Sequence, residues 1–280
     1  AKAPMITMIS ILLISVPVGF LGALTGLGGA SILIPILVFL GIPIKEAIAC
    51  GMASIIATSS GSASSYVREK IANIRVAMFL EMFTTVGAIA GATITTLISP
   101  VFLYFFFAAF LATSFLKRGE RTSLSRSSAE WHDRLSRWLN LQGSYYDEAH
   151  QRKIEYKVNH SLLGGAGMLL AGLAAGMLGI GAGAFKVTVQ ENLLQLPPKV
   201  SSTTSNFIIG MTALAGTSVY LYSGLLNLTL MGPMAVGTTI GAILGGRVLN
   251  QMRNRTLQIL FLAIVTFLIV QMVYKGVTSL

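Results

Sequence analysis

Charge is what this chain has least of: Asp, Glu, Lys and Arg together make up 11% of its 280 residues, against roughly 25% in an average soluble domain. So few charges could not cover the surface of a soluble fold this long. Cys50 is the only cysteine, which excludes an internal disulfide and a thiolate metal cluster. The three histidines, His132, His150 and His160, fall in or beside one central segment, so neither a buried metal site nor any other cofactor is expected. An enzyme would need a nucleophile–base pair or a metal at depth. Glu81, Lys186, Glu191, Cys50 and the hydroxyls are scattered over separate segments instead.

Apolar residues fill the space the charges leave, at 54% of the chain, with a mean hydropathy of +0.74. They come in runs near the roughly 20 residues a helix needs to cross a hydrocarbon core: about 5–25, 47–66, 74–98, 100–116, 161–178, 200–222, 228–246 and 256–274. The expected class is an all-α integral membrane protein with about eight long spans. One apolar segment follows another to the C-terminus, so the first reads as structural and not as a cleaved signal. The net charge of +10 sits in the loops between spans, where the enrichment of cytoplasmic loops in Lys and Arg accounts for it without nucleic acid.

The chain repeats itself. A shift of 153 to 154 residues lays Gly19, Gly26 and Gly28 on Gly172, Gly179 and Gly181, and Pro43 and Lys45 on Pro197 and Lys199. It goes on to match Thr58 with Thr212, Tyr66 with Tyr220, Asn73 with Asn227, Gly87 with Gly241 and Gly91 with Gly245. Equivalent loops carry opposite charge patterns: the 67–72 loop holds Arg68, Glu69 and Lys70 while 221–226 holds none, and the Ser99–Pro100 turn is uncharged while its counterpart holds Arg247, Arg253 and Arg255. The charge bias therefore predicts two inverted halves, residues 1–116 and 158–280. Each has about four long helices and one short Gly-interrupted half-helix.

The segment 117–157 holds nine Lys or Arg and six Asp or Glu, and placing it in the cytoplasm satisfies both loop assignments. Trp131, Leu135, Trp138 and Leu139 recur there at helical spacing between Arg134 and Arg137, as in a helix on a membrane surface. The alternative is a plain linker.

Each half contains a glycine break followed by a stretch too short to span: Gly26-Leu-Gly-Gly29-Ala-Ser31 leading into 32–40, and Gly179-Ile-Gly181-Ala-Gly183 leading into 184–196. About 12 helical residues cover roughly 18 Å, little more than half the core. Irregular backbone at that depth lines a cavity or is buried in protein, and paired interrupted segments in inverted halves point to a site at the midplane. Two half-helix N-termini facing one another would attract an anion. The plainer reading of each glycine is close helix crossing.

Few charges lie at depth, and each is a candidate by default. Lys186, just past Gly183, would neutralise an anion, or else pair with Glu191 or snorkel. Glu81 would carry a coupled proton, or sit as a hydrogen-bonded group in the bundle. Thr58-Ser59-Ser60 and Thr203-Thr204-Ser205-Asn206 supply donors for an oxyanion, or serve as packing glue. A homo-oligomer is compatible with all of this, as is membrane lipid as surroundings.

The run Gly19-x2-Gly-x3-Gly26-Leu-Gly-Gly-x5-Pro35, then Gly41-Ile-Pro43, with a second cluster over Gly176–Gly183, resembles the TauE/SafE sulfite-exporter family across nearly the whole membrane portion. The resemblance implies a duplicated multi-span transporter that exports a small sulfur oxyanion, sulfite or an organosulfonate, with the glycine clusters as its site. Thr188 stands about where the family's second half has proline. Uptake of another small anion or metabolite is the alternative within transport, and a membrane-embedded enzyme is the third reading.

Overall fold

The computed structural model describes residues 8–25, 29–68, 73–117, 134–147, 152–249 and 254–279. Gly26, Gly28, Trp131, His132 and His150, all singled out above, lie outside them. In chain order come α1 (Met8–Thr25), α2 (Gly29–Phe39), α3 (Ile44–Arg68), α4 (Ile74–Leu97), α5 (Pro100–Lys117) and α6 (Arg134–Trp138). The hairpin β1 (Gly143–Asp147) and β2 (Arg152–Tyr156) follows. The second half holds α7 (Ser161–Leu178), α8 (Gly183–Asn192), α9 (Pro198–Tyr222), α10 (Leu228–Leu249) and α11 (Asn254–Thr278). All eight long apolar runs fall on helices. Among the described residues, Ile74–Leu97, Ser161–Leu178 and Leu228–Gly245 are the helices both long and apolar enough to cross a membrane.

The helix starts recur along the chain. α1 and α7 begin 153 residues apart, and α2 and α8, α3 and α9, α4 and α10, and α5 and α11 each begin 154 apart. Local signals recur with them: Asn73 Oδ1 accepts the Val76 N–H at 3.2 Å at the start of α4, and Asn227 Oδ1 accepts the Thr229 N–H at 3.1 Å at the start of α10. A side-chain acceptor of this kind satisfies one of the orphan donors at a helix start.

Packing crosses between the halves. α1 packs most extensively on α10, and α4 on α7. Both contacts are backbone-close because glycine lines them. A Cβ at Gly87 would overlap the Leu169 carbonyl and one at Gly172 the Thr84 carbonyl; at the other contact, Gly241 meets the Val16 carbonyl and Gly19 the Thr238 carbonyl. These are the same contacts under the 153–154 shift, made once in each direction. α3 and α9 also pack on each other, with Gly181 against both Ile55 and Ile209.

The burial pattern is that of a lipid-facing bundle. Leu13, Met82, Leu214 and Phe267 are exposed, while Thr84, Thr95, Thr204, Thr212 and Thr238 are buried. Buried hydroxyls bond helix carbonyls, as Thr95 does to Met177 at 3.1 Å across α4 and α7, and the outer apolar side chains face hydrocarbon.

The central segment differs from expectation in two respects. It contains a two-stranded antiparallel hairpin, pairing Gly143 with Tyr156 through Asp147 with Arg152, so the fold is not wholly α. The surface helix is only five residues among those described, with Ser136 buried and Trp138 79% exposed. It stops because Asn140 turns to φ 50°, a left-handed conformation that Asn tolerates at a helix end. The hairpin is tied to the membrane helices through Asn73, whose Nδ2 donates to the Leu141 carbonyl at 3.1 Å and to the Tyr156 hydroxyl at 2.9 Å.

Candidate functional site

The break between α7 and α8 is a stretch of left-handed backbone. Gly179, Gly181 and the non-glycine Ala182 have φ of 65°, 70° and 49°. For alanine that conformation costs about 1–2 kcal/mol, so the surrounding packing holds it. Gly179 sits against the Ile48 carbonyl, where a side chain would clash. From this kink α8 starts at Gly183, whose carbonyl accepts the Ser205 hydroxyl at 3.4 Å. One turn further stands Lys186.

Lys186 is fully buried, so it does not snorkel to an interface. Its Nζ donates to Thr212 Oγ1 at 2.8 Å. The same hydroxyl lies 3.2 Å from Glu81 Oε2 and 2.8 Å from the Ile208 carbonyl, within donating distance of either. Glu81, 4% exposed, also accepts from Thr84 at 3.0 Å and Thr85 at 2.7 Å. One threonine thus bridges an ammonium on α8 to a carboxylate on α4, close to the middle of the 25-residue α9. Buried charges of this kind are tolerable because they are paired and hydrogen-bonded.

The counterparts of this cluster in the other half carry no charge. The 154-residue shift places Ile32 opposite Lys186, Thr58 opposite Thr212 and Ala235 opposite Glu81. The Thr58 hydroxyl bonds its own helix at the Ile55 carbonyl, 3.0 Å away. Two related scaffolds therefore hold one polar centre and one apolar one.

The remaining predicted residues are dispersed. Gly29 begins α2 against Gly19 and Thr238, and Ser31 is buried within α2. Thr204 Oγ1 accepts the Asn73 N–H at 3.3 Å, a tether from α9 to the start of α4. Its counterpart is Cys50, whose Sγ lies 3.6 Å from the Asn227 carbonyl. Asn206 is half-buried on α9. Thr212, Thr84 and Thr85 were not singled out as site residues from sequence. Thr84 and Thr85 follow Glu81 at i+3 and i+4, and Thr212 matches Thr58 across the repeat, which were the available signals.

A cleft of about 740 Å³ opens at one end of the bundle, lined by Pro43, Lys45, Glu46, Tyr104 and Asn227 among others. Lys45 Nζ donates to the Thr96 carbonyl at 2.9 Å, and Asn227 Nδ2 to Glu46 Oε1 at 2.7 Å. The counterpart of Asn227 is Asn73, which Leu141 and Tyr156 of the central segment engage.

Comparison with known proteins bears on this geometry. The profile of the family described as "Sulfite exporter TauE/SafE" matches residues 11–272. The chain belongs to the TauE/SafE family. The match spans both halves and the central segment, so the relation is to the whole architecture and not to one helix pair. Among similar proteins are the probable membrane transporter protein YunE of Bacillus subtilis, 23% identical over 93% of this chain and 95% of its own length. Another is the probable membrane transporter protein YdhB of the same organism, 26% identical over 89% of this chain and 91% of its own length. No solved structure matches. A TauE/SafE membrane transporter is thus supported by the residues, the apolar helices and the relatives alike.

Proposed function

We propose that the protein is a secondary transporter that exports a small sulfur oxyanion, sulfite or an organosulfonate, through a site near the membrane midplane between two inverted halves. The observation that carries this reading is the buried Lys186–Thr212–Glu81 cluster beside the Gly179–Gly183 break. An ammonium at that depth is a costly group retained for an anion or a partner, and the N-terminus of α8 adds its positive dipole end. Sulfur oxyanions enter from the family's description and from the fit of a tetrahedral or pyramidal anion to one ammonium, hydroxyls and helix N–H groups.

The cluster also suggests how a proton is coupled. Glu81 and an incoming anion compete for Lys186 through the shared Thr212 hydroxyl. A proton on Glu81 removes the competitor, so proton and anion favour one another's binding, and by reciprocity of linkage they travel together. With a monoanion as substrate the pair carries no net charge, and the anion's own gradient drives it outward. Alternating access would follow from motion of the halves about the α3–α9 contact, with residues 117–157 on the cytoplasmic side.

The test is flux from proteoliposomes loaded with labelled sulfite, methanesulfonate or sulfate, with a pH dye inside and with or without an imposed membrane potential. The expected result is flux of the sulfur(IV) or sulfonate anion, accompanied by protons, indifferent to potential, and uncoupled from pH in Glu81→Gln. Flux of none of the three would refute the substrate class. Flux driven by potential without proton movement would refute the coupling.

A further inference from the structure

Among the described residues, Gln190 is a buried side chain with both of its polar atoms unpartnered; Ser15 and Thr217 each leave a single hydroxyl so. Gln190 is fully buried on α8, and neither its Nε2 nor its Oε1 makes a hydrogen bond. A buried amide left this way goes without compensation for its lost hydration, and native proteins keep few such groups. Packing does not require it: the counterpart under the 154-residue shift is Ile36, half-buried and apolar. Gln190 follows Lys186 by four residues, which puts the two on one face of α8. Long side chains on a helix lean toward its N-terminus, which directs Gln190 toward the turn that carries Lys186.

We infer that Gln190 reads the transported anion beside Lys186 and selects an oxyanion that still carries one proton, such as hydrogensulfite, over one with no donor. The inference rests on the proposed anion site. An amide offers one acceptor and two donors. Lys186 and Gln190 Nε2 would donate to the anion's oxygens, and Gln190 Oε1 needs a donor in return. Hydrogensulfite supplies both kinds of group. Methanesulfonate, a tetrahedral monoanion with three acceptor oxygens and a methyl, and sulfate, with four acceptor oxygens, both lack a donor; either would leave Oε1 buried and unpaired. A site built to bond a ligand's hydroxyl rejects the analogue lacking it for that reason.

The experiment compares hydrogensulfite, methanesulfonate and sulfate binding to full-length wild type and to Gln190→Leu in detergent, with the melting temperature of each ligand-free protein recorded alongside. Wild type is expected to prefer hydrogensulfite to methanesulfonate by about tenfold or more, the worth of one bond to a charged ligand. Gln190→Leu should bring the two affinities within about threefold, with a melting temperature equal to or above that of wild type, because an unpaired amide has been removed. Wild-type binding with an unchanged preference in Gln190→Leu would overturn the role given to Gln190 while leaving the anion site standing. A lower melting temperature with unaltered preference would overturn it too and make Gln190 a structural group. Binding of none of the anions by wild type would overturn the proposed site itself, and the ligand assigned to Gln190 with it.

Discussion

Replacing Lys186 with Met tests whether the buried cluster is a coupled unit. Met keeps the length and apolar stem of the side chain but removes the ammonium that donates to Thr212 at 2.8 Å. Glu81 is then a buried carboxylate without a cation, and breaking a buried pair on one side costs about 3–5 kcal/mol. Thr84 and Thr85 still donate to Glu81, which places the expected cost at the lower end, about 3 kcal/mol. At about 2–3 °C per kcal/mol for a chain of this size, the melting temperature in detergent should fall by about 6–9 °C. Adding Glu81→Gln removes the stranded charge while keeping an oxygen for both threonines. The double variant should therefore recover to within about 1 kcal/mol of wild type. The assay is thermal unfolding of the four proteins as a double-mutant cycle. If Lys186→Met costs less than about 1 kcal/mol, or if the two changes simply add, the charges are not coupled through Thr212 and the reasoning fails.

The two interlocking contacts should respond alike to a methyl group: Gly87→Ala and Gly241→Ala each press a Cβ into a facing carbonyl, and each is expected to cost about 1–3 kcal/mol, read as a fall in melting temperature. In a Cys50→Ala background, Arg75→Cys and Thr229→Cys, both exposed and 154 residues apart, should react with an impermeant maleimide from opposite sides of the membrane. Labelling from one side would refute the inversion. Tyr156→Phe removes the acceptor of the 2.9 Å bond from Asn73 and should loosen the hairpin, measured as faster proteolysis within residues 134–157 at little cost to the melting temperature of the helices.

Much of the scaffold could be read from the residues because its signals are local or periodic. The Tyr66-x6-Asn73 and Tyr220-x6-Asn227 matches mark helix ends, and both asparagines cap the helices they precede. The half-helices begin at Gly29 and Gly183, as the glycine breaks implied. The hairpin was missed because its strands are five residues long and lie in a charged segment. Their alternation, Lys153, Ile154, Glu155, Tyr156, is short enough to be lost beside the helical spacing of Leu135, Trp138 and Leu139. At the site, Lys186 and Glu81 were visible as charges at depth. Their union through Thr212 was not, because the three stand on α8, α4 and α9, and no pattern along the chain reports a contact over 131 residues. The partners of Thr204 and Ser205 were equally out of sight: Thr204 Oγ1 accepts the Asn73 N–H and the Ser205 hydroxyl donates to the Gly183 carbonyl.

The reciprocal contacts of α1 with α10 and α4 with α7 have a consequence for biogenesis. α1 has its main neighbour, α10, about 200 residues downstream. At the usual ~5–20 residues per second of synthesis, α1 waits on the order of 10–40 s in the bilayer before α10 arrives. During that wait α2 is at hand for Gly19, and the rest of the side that α10 covers lies against lipid or the insertion machinery. Neither half holds the full set of its own neighbours, so each would be a folding orphan by itself. Among its described residues, the chain that joins them holds α6 and the β1–β2 hairpin and no long helix. Two co-expressed pieces divided within residues 118–133 should therefore find each other in the membrane and assemble, while either one alone should be degraded.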